Sequence, residues 1–252
     1  MFSVIFPGQG SQIIGMGKEF YENFNYVRDF FSNADDLLNK NMSKIILEGP
    51  KDDLDQTENT QPAIFLVSYS IFQTMQRESS LDLKKAKFFA GHSLGEYSAL
   101  CCSDSLNFEE TIKLLKNRGK AMQNAVPVGE GGMLAILGVE IDKIKNLFIE
   151  FQNQFQCYIA NDNSVGQIVV SGTKNSLNLF SIELKKRNIK FIPLSVSAPF
   201  HCPLMKNATE FMKNKNINKN FNNPKIEIIS NVLAQPVQNS EEIKNLLIQQ
   251  IE

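Results

Sequence analysis

At 252 residues, with 42% hydrophobic and 21% charged side chains, the chain is long enough for one sizeable core or for a large domain carrying a smaller insertion. Its 26 basic and 27 acidic residues nearly cancel, which excludes the basic excess of a nucleic-acid binder, and no apolar stretch reaches the length of a membrane span. Four cysteines, Cys101, Cys102, Cys157 and Cys202, lack Cys-x-x-Cys spacing and read as reduced, buried thiols of a cytoplasmic protein, with neither a metal site nor a disulfide framework signalled.

The N-terminal run to Phe6 is too short, and lacks the basic lead, for a signal peptide. It reads instead as a buried strand that ends at the Pro7-Gly8 loop. A long helical pattern covers about Gly17 to Leu38. A second helix, capped by Thr60 with Pro62 in its first turn, continues through Ile64, Val67, Tyr69 and Ile71. A strand from Lys87 to Ala90 leads into Gly91-His92-Ser93-Leu94-Gly95 and a helix from Leu94 to Cys102. Asn107 and Glu110 form a capping pair for the next helix, from Phe108 to about Asn124.

Beyond Pro127, Gly129-Glu130-Gly131-Gly132 reads as a flexible joint. Strand 133–137, helix 141–151 and strand 156–160 follow; after the polar run Asn161-Asp162-Asn163-Ser164 come strand 167–170, helix 174–187 and strand 189–194. The order βαββαβ is that of a ferredoxin-like unit. The fold expected is therefore α/β, a hydrolase-like parallel-sheet large domain (residues 1–127 and 198–252) with an inserted ferredoxin-like small domain (residues 128–197). The chain returns through Pro199-Phe200-His201, a helix to about Lys215, an exposed Asn- and Lys-rich loop between 213 and 223, a strand from Lys225 to Ile229 and a last helix from Glu241 to Gln250.

Gly91-His92-Ser93-Leu94-Gly95 fits Gly-x-Ser-x-Gly between a strand and a helix, the setting of a nucleophile elbow. A tight strand–turn–helix has no room for side chains two positions either side of the nucleophile. Ser93 emerges at a helix start, where the Leu94 N–H and the helix dipole favour an anionic oxygen. A serine hydroxyl needs a base. Of the two histidines, His92 adjoins Ser93 in sequence and its side chain diverges from it, so elimination leaves His201, on a loop stiffened by Pro199 and Pro203. No acidic residue between them has a convincing loop context, which favours a Ser–His dyad oriented by a neutral acceptor. The opening Phe6-Pro7-Gly8-Gln9-Gly10-Ser11-Gln12 fits neither a dinucleotide fingerprint nor a P-loop. A glycine-rich turn there can present a second oxyanion N–H beside the elbow.

These segments, with Ala198-Pro199-Phe200-His201, Thr60-Gln61-Pro62-Ala63 and Asn117-Arg118-Gly119, resemble the malonyl-CoA:acyl carrier protein transacylase family, in order, from residue 2 to about 250. The resemblance implies Ser93 as the acylated nucleophile, His201 as general base and acid, Gln9 and Leu94 as oxyanion N–H donors, and Arg118 as a clamp on the malonyl carboxylate. It implies that the Gln250 backbone carbonyl orients the histidine and that Phe200 marks a malonyl rather than methylmalonyl type. Asn161 and Gln167 would lie near the acyl-CoA pocket and Lys190 near the coenzyme phosphates, where an arginine is common. No cofactor is implied beyond the substrate malonyl-CoA; the partner is acyl carrier protein, and the enzyme is expected to be a monomer serving fatty-acid synthesis. Family members continue a few dozen residues further, through a Gly-Pro-Gly segment, whereas this sequence stops at Glu252. A serine thioesterase, a non-catalytic acyl-binding relative and a polyketide-pathway acyltransferase are the competing readings.

Overall fold

A computed structural model describes residues 1–151, 154–194, 196, 198–216 and 220–252. Contacts divide the chain into two units, Met1–Lys120 with Met212–Gln250, and Ala121–Phe211 with Ile251–Glu252. The sequence-based division lay at 127/128 and 197/198. The breaks here fall within the helices Phe108–Asn124 and Lys206–Asn216, and Phe200 and His201 belong to the second unit.

Among the described residues the strands are β1 (Val4–Phe6), β2 (Phe89–Gly91), β3 (Gly131–Leu137), β4 (Cys157–Ser164), β5 (Gln167–Thr173), β6 (Lys190–Pro193), β7 (Ile228–Ile229) and β8 (Pro236–Val237). The first unit carries the sheet β1-β2-β7-β8, in which β1, β2 and β7 run parallel and β8 pairs antiparallel with β7. Phe6 of β1, Phe89 of β2 and Ile228 of β7 are buried. The helix Leu94–Cys102 that follows β2 is buried at all nine positions, and Glu96 is its one charged residue.

Two helix boundaries differ from expectation. The pattern between Gly17 and Leu38 is two helices, Lys18–Asn23 and Asn25–Leu38, separated by Phe24 in an extended conformation (φ −125°, ψ 118°). The Phe24 ring packs on Phe20 and Tyr26 across the break, so apolar spacing continues through it and conceals it. The next helix is Thr57–Glu78, begun three residues before Thr60. Thr60 turns its hydroxyl to the carbonyls of Leu54, at 2.6 Å, and Gln56, at 3.0 Å, and Pro62 lies in the second turn. The Asn107–Glu110 pair does cap the helix Phe108–Asn124, with Glu110 N–H 2.8 Å from Asn107 Oδ1.

The second unit is a sheet ordered β4-β5-β3-β6 in which every neighbouring pair is antiparallel. With the helices Ile141–Glu150 and Lys174–Lys186 its chain order is βαββαβ, ferredoxin-like as read from the sequence. Leu134, Ile136, Ile168 and Val170 face a core completed by Ile144, Leu147, Leu177, Phe180 and Leu184. The polar run Asn161–Ser164, expected as a connection, belongs to β4. Register shifts at Ile159/Asn161 and Asp162/Ser164 let it stay in the ladder. Residues 217–219 of the expected Asn- and Lys-rich loop lie outside the described residues, as do Ser195 and Ser197 of the return segment.

Candidate active site

Ser93 stands between β2 and the helix Leu94–Cys102 with φ 54° and ψ −108°, a conformation that non-glycine residues rarely hold. The turn is tight enough that a Cβ built on Gly91 lies 1.9 Å from the Gly95 carbonyl carbon. Most of its N–H groups are engaged: His92 donates to Phe6 O (3.1 Å), Ser93 to Asn231 Oδ1 (2.7 Å), Gly95 to His92 O (2.9 Å) and Glu96 to Ser93 O (3.1 Å). The Leu94 N–H has no hydrogen-bond partner among the described residues. Neither has the Gln9 N–H, in the loop that leaves β1, while Gly10 N–H donates to Gln12 Oε1 at 2.8 Å. β1 and β2 pair Phe6 with Gly91, so both free donors sit on neighbouring strand ends. The Gln9 side chain itself turns to Thr57 Oγ1, 3.2 Å away.

Arg118 is 1% exposed, on the helix Phe108–Asn124. That helix reaches the start of Thr57–Glu78 because residue 119 is glycine; a Cβ there would meet the Thr57 carbonyl oxygen at 2.4 Å. Arg118 Nη1 donates to Gln61 Oε1 at 2.8 Å, and Nη2 donates both to Ser93 Oγ at 3.0 Å and to Gln250 Oε1 at 2.9 Å. Its Cζ lies 5.6 Å from the Tyr97 ring centroid, and Nε is buried with no partner among the described residues. Burial lowers the Arg118 pKa, with the nearby Tyr97 and Glu96 opposing that shift. Among the described residues the hydrogen-bond partners of this buried cation are neutral oxygens, a costly arrangement unless an anion completes it.

Ser93, Arg118 and Gln250 are thus brought together within the first unit, with Gln250 engaged through its side-chain amide: Nε2 donates to Ser93 O at 3.2 Å and to Glu96 Oε2. The remaining expected residues belong to the second unit. His201 has φ 57° and lines a surface cavity with Cys157, Tyr158 and Pro203. Phe200 is buried, and its carbonyl accepts the Ser171 hydroxyl. Register sets Gln167 and Lys190 on either side of Leu137, and Asn161 opposite Val169. Strand alternation therefore puts all three on the sheet face turned away from the helix-covered core.

A family model described as an acyl transferase domain matches residues 3–246. The malonyl CoA-acyl carrier protein transacylase of Bacillus subtilis (strain 168) is 41% identical over 252 residues, covering 98% of this chain and 77% of that protein. The chain belongs to the malonyl CoA-acyl carrier protein transacylase family. A crystal structure of the acyl-carrier-protein-S-malonyltransferase from Bartonella henselae superposes with a TM-score of 0.94 at 42% identity, covering 100% of this chain and 81% of that one. A malonyl-transacylase solved in complex with its type II PKS acyl-carrier protein superposes with a TM-score of 0.93 at 35% identity, over 99% of this chain and 80% of that one.

In this transacylase-family chain three participants escaped sequence reasoning: Gln61, Glu96 and Asn231. Gln61 had a signal, its place in the Thr60–Ala63 segment. Glu96 is 2% exposed, and burial pushes its carboxyl up to about 7 from 4.5, against hydrogen bonds from Asn231 N–H and Gln250 and the attraction of Arg118. An acid whose folded value is raised binds more protons folded than unfolded, so here stability falls as pH rises from 4.5 to about 7. Glu96→Gln, near-isosteric and neutral, is expected to gain on the order of 2 kcal/mol over the native protein between about pH 5 and about pH 8. Urea unfolding at the two pH values measures this, and an unchanged difference counts against a buried ionising Glu96.

Among the described residues no helix is long and apolar enough to cross a membrane, and no group of three or more His, Cys, Asp or Glu could hold a metal ion.

Proposed function

We propose that this chain moves malonyl from malonyl-CoA to the phosphopantetheine thiol of acyl carrier protein through an acyl-enzyme on Ser93, as a monomeric, cytoplasmic, cofactor-free enzyme of fatty-acid biosynthesis. The observation that carries the reading is Arg118: a buried guanidinium whose partners among the described residues are neutral and whose Nε has none among them, held 3.0 Å from the Ser93 hydroxyl. A planar guanidinium matches a carboxylate bidentately, and a malonyl group has its carboxylate one carbon from the carbonyl that Ser93 attacks. Relatives at 41% and 36% identity carry the transacylase name, and the complex with a type II PKS acyl-carrier protein supports such a carrier as acceptor.

In the first half-reaction Ser93 Oγ attacks the thioester carbonyl while His201 takes the hydroxyl proton. The oxyanion is held by the N–H groups of Gln9 and Leu94, both free to donate. The carbon–sulfur bond breaks and coenzyme A leaves with the proton from His201. In the second, the carrier's thiol gives its proton to His201 and attacks the ester, and Ser93 regains the proton as its bond to the acyl carbon breaks. The Gln250 carbonyl orients His201 and Phe200 shapes the malonyl pocket. Asn161 and Gln167 line the acyl-CoA path, and Lys190 meets the coenzyme phosphates. These roles rest on the family resemblance, supported for Asn161, Gln167 and Lys190 by their common sheet face.

Incubation with malonyl-CoA is expected to add one malonyl group to the intact protein, mapped to Ser93 and absent from Ser93→Ala. A folded protein that takes up no malonyl under these conditions removes the proposal.

A further inference from the structure

Asn231 has no part in the reaction as set out above, yet it makes two close contacts to the elbow from outside it. It follows β7 by two residues, in a turn where Ser230 Oγ accepts the N–H groups of Val232 at 3.2 Å and Leu233 at 3.4 Å. β7 pairs in parallel with β2, Ile229 opposite Ala90, so the residues just past the two strand ends lie side by side. The Asn231 side-chain amide bridges the elbow across His92. Its Oδ1 accepts the Ser93 N–H at 2.7 Å, and its Nδ2 donates to the Gly91 carbonyl at 2.7 Å. Gln250 Nε2 reaches the Ser93 carbonyl at 3.2 Å and Asn231 Oδ1 at 3.3 Å. Asn231 N–H is in turn 3.3 Å from Glu96 Oε2.

Both peptide groups around the Ser93 Cα are therefore held by side-chain amides, at the one point of the elbow where a non-glycine residue has positive φ. Such a conformation persists only where its surroundings over-determine it. The bridge needs one group that accepts and donates at once: an amide does this, whereas a carboxylate offers acceptors only and would oppose the Gly91 carbonyl.

The geometry points to Asn231 as the positioning residue of the nucleophile, holding Ser93 in the backbone conformation from which its hydroxyl meets Arg118 and the acyl carbonyl. This inference rests on the proposed Ser93 chemistry. It also explains the division of donors, because the Ser93 N–H is spent on Asn231 and the elbow's contribution to the oxyanion falls to Leu94.

The test compares native protein, Asn231→Ala and Asn231→Asp, with Ser93→Ala as blank. Two readouts are taken: kcat and KM for malonyl transfer to carrier protein, and the rate of Ser93 labelling by a fluorophosphonate probe, which carries no malonyl group. Asn231→Ala is expected to lower kcat on the order of 10²-fold, the usual cost of misplacing a reacting atom by about an ångström, with KM for malonyl-CoA changed by less than about threefold. Labelling is expected to slow in parallel. Asn231→Asp, equal in shape but lacking the donor, is expected to lose at least about tenfold in both readouts, which a merely space-filling Asn231 does not predict. Thermal unfolding of each variant accompanies the kinetics, and if the alanine variant unfolds the aspartate variant carries the test. Aspartate kinetics and labelling within about threefold of native, or a loss confined to KM, overturn the inference. A native protein that labels at Ser93 but moves no malonyl defeats the functional proposal instead, and the probe still decides the role of Asn231.

Discussion

Arg118→Ala is expected to lower kcat/KM for malonyl-CoA on the order of 10²–10³-fold while leaving acetyl-CoA turnover close to its native level. Truncating one partner of a buried, hydrogen-bonded charge pair costs roughly 3–4 kcal/mol, and about 1.4 kcal/mol is tenfold in rate. Acetyl has no carboxylate to lose, so the malonyl-to-acetyl ratio collapses by the same factor. The guanidinium is enclosed and hydrogen-bonds Ser93 Oγ, so under the proposed function its pairing with a malonyl carboxylate would be strong and would bring that acyl group to Ser93. Stability is expected to move far less than activity. The substitution takes the guanidinium donor away from Gln61 Oε1 and Gln250 Oε1, but it also removes a buried cation that no carboxylate among the described residues directly neutralises. Steady-state kinetics with both thioesters, beside urea unfolding, separate the two effects. Malonyl kinetics unchanged in the alanine variant end the assignment of Arg118 as the carboxylate clamp.

Gly91→Ala is expected to be the most damaging single methyl in the chain, costing at least about 3 kcal/mol and all Ser93 labelling. The added carbon would lie 1.9 Å from Gly95 C, 2.0 Å from Gly95 O and 2.4 Å from Glu96 N. All three are backbone atoms of the helix that follows Ser93, so no rotamer change relieves the clash. The strand end and the helix start must separate, and with them Ser93 leaves its turn. Gly132→Ala is the matched control. Its added carbon has Leu177 Cδ1 as nearest neighbour at 3.4 Å, an ordinary contact, so a change within about 1 kcal/mol is expected. A native-like unfolding midpoint for Gly91→Ala contradicts the elbow geometry.

The features legible in the sequence are those written in local chemistry. Strand, Gly-x-Ser-x-Gly and helix are contiguous, and the two glycines answer to a steric demand only a few residues wide. The βαββαβ order emerges because each element carries its own period and each turn its own breaker. Phe24 went unseen because one extended residue between two amphipathic helices leaves apolar spacing nearly intact. Thr60 misled because a threonine before an apolar run looks like a cap, whereas its hydroxyl satisfies Leu54 O from within the helix. Glu96 and Asn231 were opaque for a different reason. A glutamate in the first turn of a helix ordinarily faces water, and an asparagine after a short strand ordinarily makes a turn. Only tertiary structure, which carries Asn231 to Ser93 across 138 residues, turns them into a buried acid and a backbone clamp.

The amide of Gln250 has an effect that reaches beyond its own hydrogen bonds. With Oε1 toward Arg118 and Nε2 toward Glu96, it acts as a spacer between a buried guanidinium and a buried carboxyl. Were the two in direct contact, the guanidinium would arrive already quenched, and an incoming carboxylate would first have to evict a resident anion. Kept one amide apart, an ionised Glu96 offsets the cation's field while Gln250 holds a hydrogen bond to each. For the proposed malonyl transfer, that arrangement would let a carboxylate be gripped and released without displacing a resident carboxylate.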